Sequence, residues 1–342
     1  YENPSQGIDA VFNYGLFSFN TPNFIFRFSL GETDYQLGAT DYERFAAEYA
    51  FFGRSVWQQT LNLTDEEKTE LIRLLQENYR PENRVYRYNF FYDNCATRPR
   101  DKIEESIAGK VIYPAEPQDG SLTFRDIVHQ YCKGHPWARF GIDLCIGSEA
   151  DQPITQRQMM FAPFYLMDAF DGAQIKGDSI QRPLITANEL VVDATPEPDE
   201  SDWMPTPLQC SLLLFILTAA ATIYGIRRRT GLWGIDLFLF GIAGIVGCVL
   251  AFLALFSQHP AVSSNFLLLV FHPGQLLFLP YIIYCVRKGK KCWYLTLNLA
   301  VLTLFIVLFP VIPQRFDFAV VPLALCLLIR SVSNLIVTSK KK

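Results

Sequence analysis

Leu208-Gln209-Cys210-Ser211-Leu212-Leu213-Leu214-Phe215-Ile216-Leu217-Thr218-Ala219-Ala220-Ala221-Thr222-Ile223-Tyr224-Gly225-Ile226 carries no charge and is closed by Arg227-Arg228-Arg229. About 20 such residues cross a bilayer as a helix. Four further apolar runs follow, at 232–256, 266–286, 293–311 and 317–337. Residues 208–342 therefore read as an all-α membrane domain of about five transmembrane helices. Residues 1–192 are rich in charge and aromatics and read as a soluble domain. Asp193 to Pro207, rich in Pro, Asp and Glu, reads as the exposed linker between them. The mean hydropathy of +0.14 averages two different classes of protein.

The connections between spans fix an orientation. Arg227-Arg228-Arg229 follow the first span, Arg287, Lys288, Lys290 and Lys291 the third, and Lys340-Lys341-Lys342 the fifth. The other two connections, around Gln258-His259-Pro260 and Pro313-Gln314-Arg315, hold little positive charge. The positive-inside rule places the basic loops and the C-terminus in the cytoplasm. The soluble domain then lies on the opposite side, which in a bacterium is the periplasm or the cell exterior. Trp203, Trp233 and Trp293 fall at expected interfaces. Asp236 and Arg330 lie near cytoplasmic ends, where they can snorkel.

A net charge of -4 gives no footprint for nucleic acid. None of the eight cysteines forms a CxxC pair, so no zinc-ribbon or thioredoxin signature is present, and no metal or other cofactor is implied. Cys132 and Cys145 could form a disulfide in an oxidising compartment. Tyr1 is not an initiating methionine, and a strand-like stretch follows soon after at Ala10 to Tyr14. Residues upstream of Tyr1 are therefore expected, a removed secretory signal among them.

The soluble domain reads as α+β. Ala10 to Gly15, Arg54 to Leu61 and Tyr86 to Phe91 have strand composition. Thr64-Asp65-Glu66-Glu67 is a capping box opening a helix with Leu71, Leu74, Leu75 and Tyr79 on one face. Thr97 to Ile107 reads as a second helix, with Cys95 at or just before its start. Unpaired amides and the helix dipole favour negative charge there, which stabilises a thiolate. Arg98 and Arg100 push the same way, and the same amides can receive an oxyanion. The competing reading of Cys95 is a small buried residue at a strand–helix junction.

Asn94-Cys95-Ala96-Thr97-Arg98-Pro99-Arg100-Asp101, after its aromatic strand, resembles the cysteine motif of the Lnb N-terminal periplasmic domain. That domain belongs to membrane-bound lipoprotein N-acyltransferases of certain Gram-negative bacteria. Val11-Phe12-Asn13-Tyr14-Gly15, Gly53-Arg54-Ser55-Val56, His135-Pro136-Trp137, Gly141-Ile142-Asp143 and Pro163 to Ala169 are similar too, as is His259-Pro260 followed by Asn265. The resemblance implies a permuted papain-like (NlpC/P60) fold with Cys95 as nucleophile and Asn94, Ala96 and Arg98 as supporting or oxyanion groups. It implies a histidine base on an earlier strand, expected upstream of Tyr1, and an orienting polar group for which Asn13 is the nearest match. It also implies a phospholipid acyl donor and a diacylated lipoprotein acceptor at the inner membrane.

His129 reads as a surface or packing residue and His135 as part of a turn. His259 and Asn265 form either an interfacial turn with a helix cap or a polar patch for substrate. His272, inside the third span and followed by Pro273-Gly274, is either a candidate substrate-binding group, because an ionisable residue at membrane depth is costly, or a neutral histidine bonded to a neighbouring helix. Two other functions fit the residues: a membrane-tethered cysteine peptidase or amidase acting on cell-wall peptides, and a non-catalytic lipid or lipoprotein binder.

Overall fold

The structure, a computed structural model, describes residues 1–20, 22–115, 122–177, 181–194 and 204–339. Most of the expected linker, with Trp203, and the terminal Lys340-Lys341-Lys342 lie outside the described residues. In chain order the elements are β1 (Glu2–Asn3), β2 (Ile8–Leu16), α1 (Phe24–Leu30), β3 (Asp34–Asp41), α2 (Tyr42–Phe51), β4 (Val56–Leu61), α3 (Asp65–Tyr79), β5 (Val85–Arg87), α4 (Thr97–Ser106) and β6 (Lys110–Ile112). There follow α5 (Phe124–Tyr131), α6 (Pro136–Cys145), α7 (Gln156–Met159), α8 (Pro163–Asp171), β7 (Gln174–Lys176), β8 (Gln181–Pro183) and β9 (Ile185–Val192). The remaining helices are α9 (Pro207–Arg228), α10 (Trp233–Phe256), α11 (Gly274–Leu277), α12 (Leu279–Lys288), α13 (Trp293–Leu308) and α14 (Val320–Ser339).

Two units interleave along the chain. The mixed α/β unit comprises residues 1–127, 153–202 and 258–260, and the helical unit the rest. Residues 128–152, sequentially part of the soluble half, thus group with the membrane helices.

In the mixed unit an antiparallel sheet runs β1-β2-β3-β5. Tyr14, Leu37 and Tyr86 are buried on one of its faces, with Phe12, Tyr35, Leu75 and Tyr88 packed around them. The α3 capping box forms as expected: Thr64 accepts from the Glu67 amide and Glu67 accepts from the Thr64 amide. A second core of Ile107, Phe170, Ala173, Ile175, Leu184 and Ile185 lies with the sheet β6-β7-β8. The strand expected over Tyr86 to Phe91 stops at Arg87, because the Asn89 side chain accepts from the Phe91 and Tyr92 amides and turns the chain.

In the helical unit α9, α10 and α14 are long and apolar enough to cross a membrane. The third expected span is not one helix. Phe266–Leu277 meets α12 at a bend of 73°. Pro273 and Pro280 lack the N–H groups that a continuous helix would need there. The fourth is the 16-residue α13. The basic segments gather at one end: Arg287 lies 5.2 Å over the Trp233 ring, and the Lys290 carbonyl accepts from Asn334 near the end of α14. At the other end the Asn265 side chain donates to the Leu144 carbonyl at 2.7 Å, and Gln314 donates to both Ile146 and Asn265.

Asp236 and Arg330 do not snorkel. Both are 2% exposed and form a two-point ion pair at 2.6 and 3.0 Å, with Thr222 accepting from a third guanidinium nitrogen. Removing one charge strands the other in an apolar interior. Arg330→Leu is therefore expected to destabilise the detergent-solubilised protein by about 3–5 kcal/mol, with Asp236→Leu in the same chain restoring most of the loss. Thermal unfolding of the two single variants and the double variant measures it.

Candidate functional site around Cys95

Cys95 is the exposed member of a tight turn between β5 and α4. Asn94, 3% exposed, builds that turn. Its Oδ1 accepts from the amides of Ala96 (2.8 Å) and Thr97 (3.0 Å), and its Nδ2 donates to the carbonyls of Phe90 and Phe161, each at 2.9 Å. The Asn94 amide donates to Thr97 Oγ1 at 2.8 Å. Phe91, Phe124 and Phe161 pack as a ring cluster beside this wiring.

Asn94, Ala96 and Arg98, read from the sequence as supporting or oxyanion groups, are placed as follows. The Ala96 and Thr97 amides both donate to Asn94 Oδ1, so the Asn94 side chain supports the turn with both of its ends. Arg98 is held by Asp93 through two bonds of 2.6 and 2.7 Å, with its guanidinium 3.7 Å over the Tyr86 ring. Arg100 is bonded to Asp101 and to the Arg157 carbonyl. Among the described residues the Cys95 amide itself has no hydrogen-bond partner.

Asn13 reaches the turn only indirectly. Its Oδ1 accepts from the Gly15 amide at 3.0 Å, two residues along the same strand, where the β2–β3 register slips between Asn13 and Leu16. The slip brings Gly15 against the cysteine: a Cβ there would stand 3.6 Å from Cys95 Cβ and 3.3 Å from Asn13 Oδ1.

Three phenols line the other side. Tyr88 neighbours the Cys95 thiol. Tyr35 stacks on Tyr88 with ring centres 4.0 Å apart. Tyr86 donates to the Tyr14 carbonyl. Burial, and then the neighbouring Cys95, pushes the Tyr88 phenol well above its usual range, and the same two causes raise Tyr35. Tyr88 is thereby a neutral donor at any physiological pH.

The remaining side of Cys95 opens on a cleft of about 500 Å³. Leu61, Pro99, Ile103, Phe164, Leu166 and Phe170 are among its apolar lining, and Tyr49, Ser55, Trp57 and Gln59 bring polar atoms to it.

Two family models match the chain. The Lnb N-terminal periplasmic domain covers residues 2–129 and the Lnb transmembrane domain residues 199–342. The chain belongs to the Lnb family. No curated protein and no solved structure matches it. As a member of the Lnb family it is a membrane protein with a periplasmic N-terminal part.

The other residues singled out in this Lnb chain lie apart from the Cys95 turn or in the helical unit. The ring nitrogen Nε2 of His259 lies 2.6 Å from the Phe28 carbonyl, where it donates. Asn265 caps a short 3-10 turn, accepting from the Leu267 amide. His129 pairs with the buried Asp143 at 2.8 Å, and His135 precedes α6. Cys132 and Cys145 are free thiols. His272 sits in the break before α11, its ring 6.2 Å from that of Tyr294. Among the described residues the Tyr294 hydroxyl and Asn298 Oδ1 are buried there without a hydrogen-bond partner. No cluster of three or more metal-ligating side chains occurs among the described residues. Sequence reading missed Tyr88, whose aromatic strand was noted but not its place beside the thiol.

Two outcomes follow from this geometry. Asn94→Ala leaves buried backbone groups unpaired and is expected to cost about 3 kcal/mol, read from thermal unfolding of the full chain. Burial also pushes the Tyr14 phenol up to about 12 from 10.0. The folded state keeps that proton longer than the unfolded one, so its stabilisation is complete below pH 10.0 and is lost as pH rises toward 12. Stability is expected to fall across that interval, with tyrosinate absorbance rising together with unfolding rather than before it.

Proposed function

We propose that the protein is a lipoprotein N-acyltransferase that carries an acyl group on Cys95. The observation that carries this reading is the apolar cleft ending at an exposed cysteine. A peptidase needs polar groups along its groove to hold peptide amides. This wall is mostly apolar, with Tyr49, Ser55, Trp57 and Gln59 its polar side chains besides Cys95, and suits a hydrocarbon chain. Membership of the Lnb family points to an enzyme in the same direction.

The Cys95 sulfur attacks the carbonyl of a phospholipid acyl ester. A C–S bond forms, the glycerol C–O bond breaks, and the thiol proton leaves on the glycerol oxygen as lysophospholipid. The α-amine of a diacylglyceryl-cysteine lipoprotein then attacks the thioester. An amide forms, the C–S bond breaks, and the amine proton returns to sulfur. The Cys95 amide and the Tyr88 phenol are the donors placed to stabilise negative charge at this centre. The single histidine of this unit, His259, donates through Nε2 to the Phe28 carbonyl. With the basic segments in the cytoplasm, the Cys95 unit faces the periplasmic leaflet of the inner membrane.

Incubated with phospholipid vesicles, the full-length enzyme should gain a hydroxylamine-sensitive acyl mass on the Cys95 peptide, and Cys95→Ser should not. Tyr88→Phe should slow adduct formation by roughly ten-fold, the loss of one charge-assisted hydrogen bond. Active, lipid-supplied protein without any adduct would sink the thioester route and favour a hydrolase or a lipid carrier.

A further inference from the structure

The excursion between β2 and β3 exposes apolar side chains that a water-facing surface does not explain. Phe19 is 74% exposed, Ile25 79% and Phe26 57%. Patches of this kind mark contact surfaces. The single charge of α1, Arg27, is paired with Asp34 at 2.7 Å.

The chain itself says what covers this patch. The Leu30 carbonyl accepts from the Gln258 amide at 2.8 Å, and His259 donates to Phe28. Gly31, at φ +73°, has no room for a side chain because a Cβ would meet the His259 amide nitrogen at 2.9 Å. Gln258 comes two residues after Phe256, the last residue of the apolar helix α10. Two residues span at most about 7 Å. The polar layer on each side of a bilayer's hydrocarbon is about 5–8 Å deep. If α10 crosses the bilayer, α1 is tied within the interfacial layer, where apolar faces sink about 5–10 Å toward the acyl chains.

From α1 an unbroken file of rings leads to the cysteine. Phe28 and Phe24 lie 6.2 Å apart, Phe24 and Phe17 5.7 Å, Phe17 and Tyr35 4.9 Å, and Tyr35 and Tyr88 4.0 Å. Tyr88 then neighbours the Cys95 thiol. We propose that α1 and the Phe17–Phe19 turn enter the periplasmic leaflet and that this file of rings is the surface along which a phospholipid acyl ester reaches Cys95. The second half rests on the proposed acyl transfer, whereas insertion into lipid stands without it.

The test uses the full chain in phosphatidylethanolamine–phosphatidylglycerol nanodiscs, with p-benzoylphenylalanine placed at Ile25, at Leu255 within α10, or at Glu82. Irradiation should give phospholipid adducts at Ile25 comparable to those at Leu255 and well above Glu82. Adducts at the Glu82 level, or cross-links to a second copy of the chain, would overturn insertion. The Ile25→Asp, Phe26→Asp double variant should form the Cys95 acyl adduct from nanodisc lipid roughly ten-fold more slowly. Its Cys95 should still be alkylated by iodoacetamide at the wild-type rate. Equal acylation of variant and wild type would overturn the route, while absence of the adduct from the wild type as well would overturn acyl transfer and leave the cross-linking result to judge insertion.

Discussion

The Asn94 carboxamide spends both of its ends on backbone groups, and the shape of the site follows from that. Its oxygen closes the turn onto the Ala96 and Thr97 amides, and its nitrogen ties the turn back to Phe90 and across to Phe161. These groups come from the β5–α4 connection and from the segment just before α8. A side chain bonded at four points inside an apolar surround cannot turn without leaving buried groups unpaired. The cysteine one residue on is therefore projected outward in a fixed direction. The capped helix start also has fewer free amides than a sequence pattern implies, because Asn94 takes those of Ala96 and Thr97.

Beside that projection the structure buries rings. Tyr35, Tyr86 and Tyr88 occupy one side and the cleft another. Burial of the phenols raises them, so they stay neutral while the cysteine itself remains open to solvent. Arg98, although close, is neutralised by Asp93 and stacked on Tyr86, and acts as a brace for the tyrosine wall.

Features set by neighbours in sequence were legible. The Thr64 capping box, the start of α4 beside Cys95 and the first two spans depend on residues within a few positions of each other, and each forms as read. Features closed by distant partners were not. Asn94 looks like a candidate donor until Phe161, 67 residues away, takes its nitrogen. Asp236 looks able to snorkel until Arg330, 94 residues away, supplies the countercharge. The break at His272 was signalled by Pro273-Gly274, but a bend of 73° depends on packing. Phe24–Leu30 went unread for another reason: a seven-residue helix is too short to declare itself by periodicity.

The helical unit divides its polar residues unevenly, and the division is informative. At one end Asn265 and Gln314 satisfy carbonyls of Leu144 and Ile146, and at the other Asp236, Arg330 and Thr222 close on one another while Asn334 accepts from the Cys292 amide and donates to the Lys290 carbonyl. These are bonds of the kind that fix helices where apolar contact with lipid supplies little preference for one neighbour over another. Between the ends, near the break, the Tyr294 hydroxyl and Asn298 Oδ1 are buried beside the His272 region without hydrogen-bond partners among the described residues. An unpaired polar group in an apolar interior is destabilising. Among the described residues the helices satisfy these polar groups at both ends and leave them open at a proline-broken turn, which concentrates that cost at one place, where the helix is already interrupted.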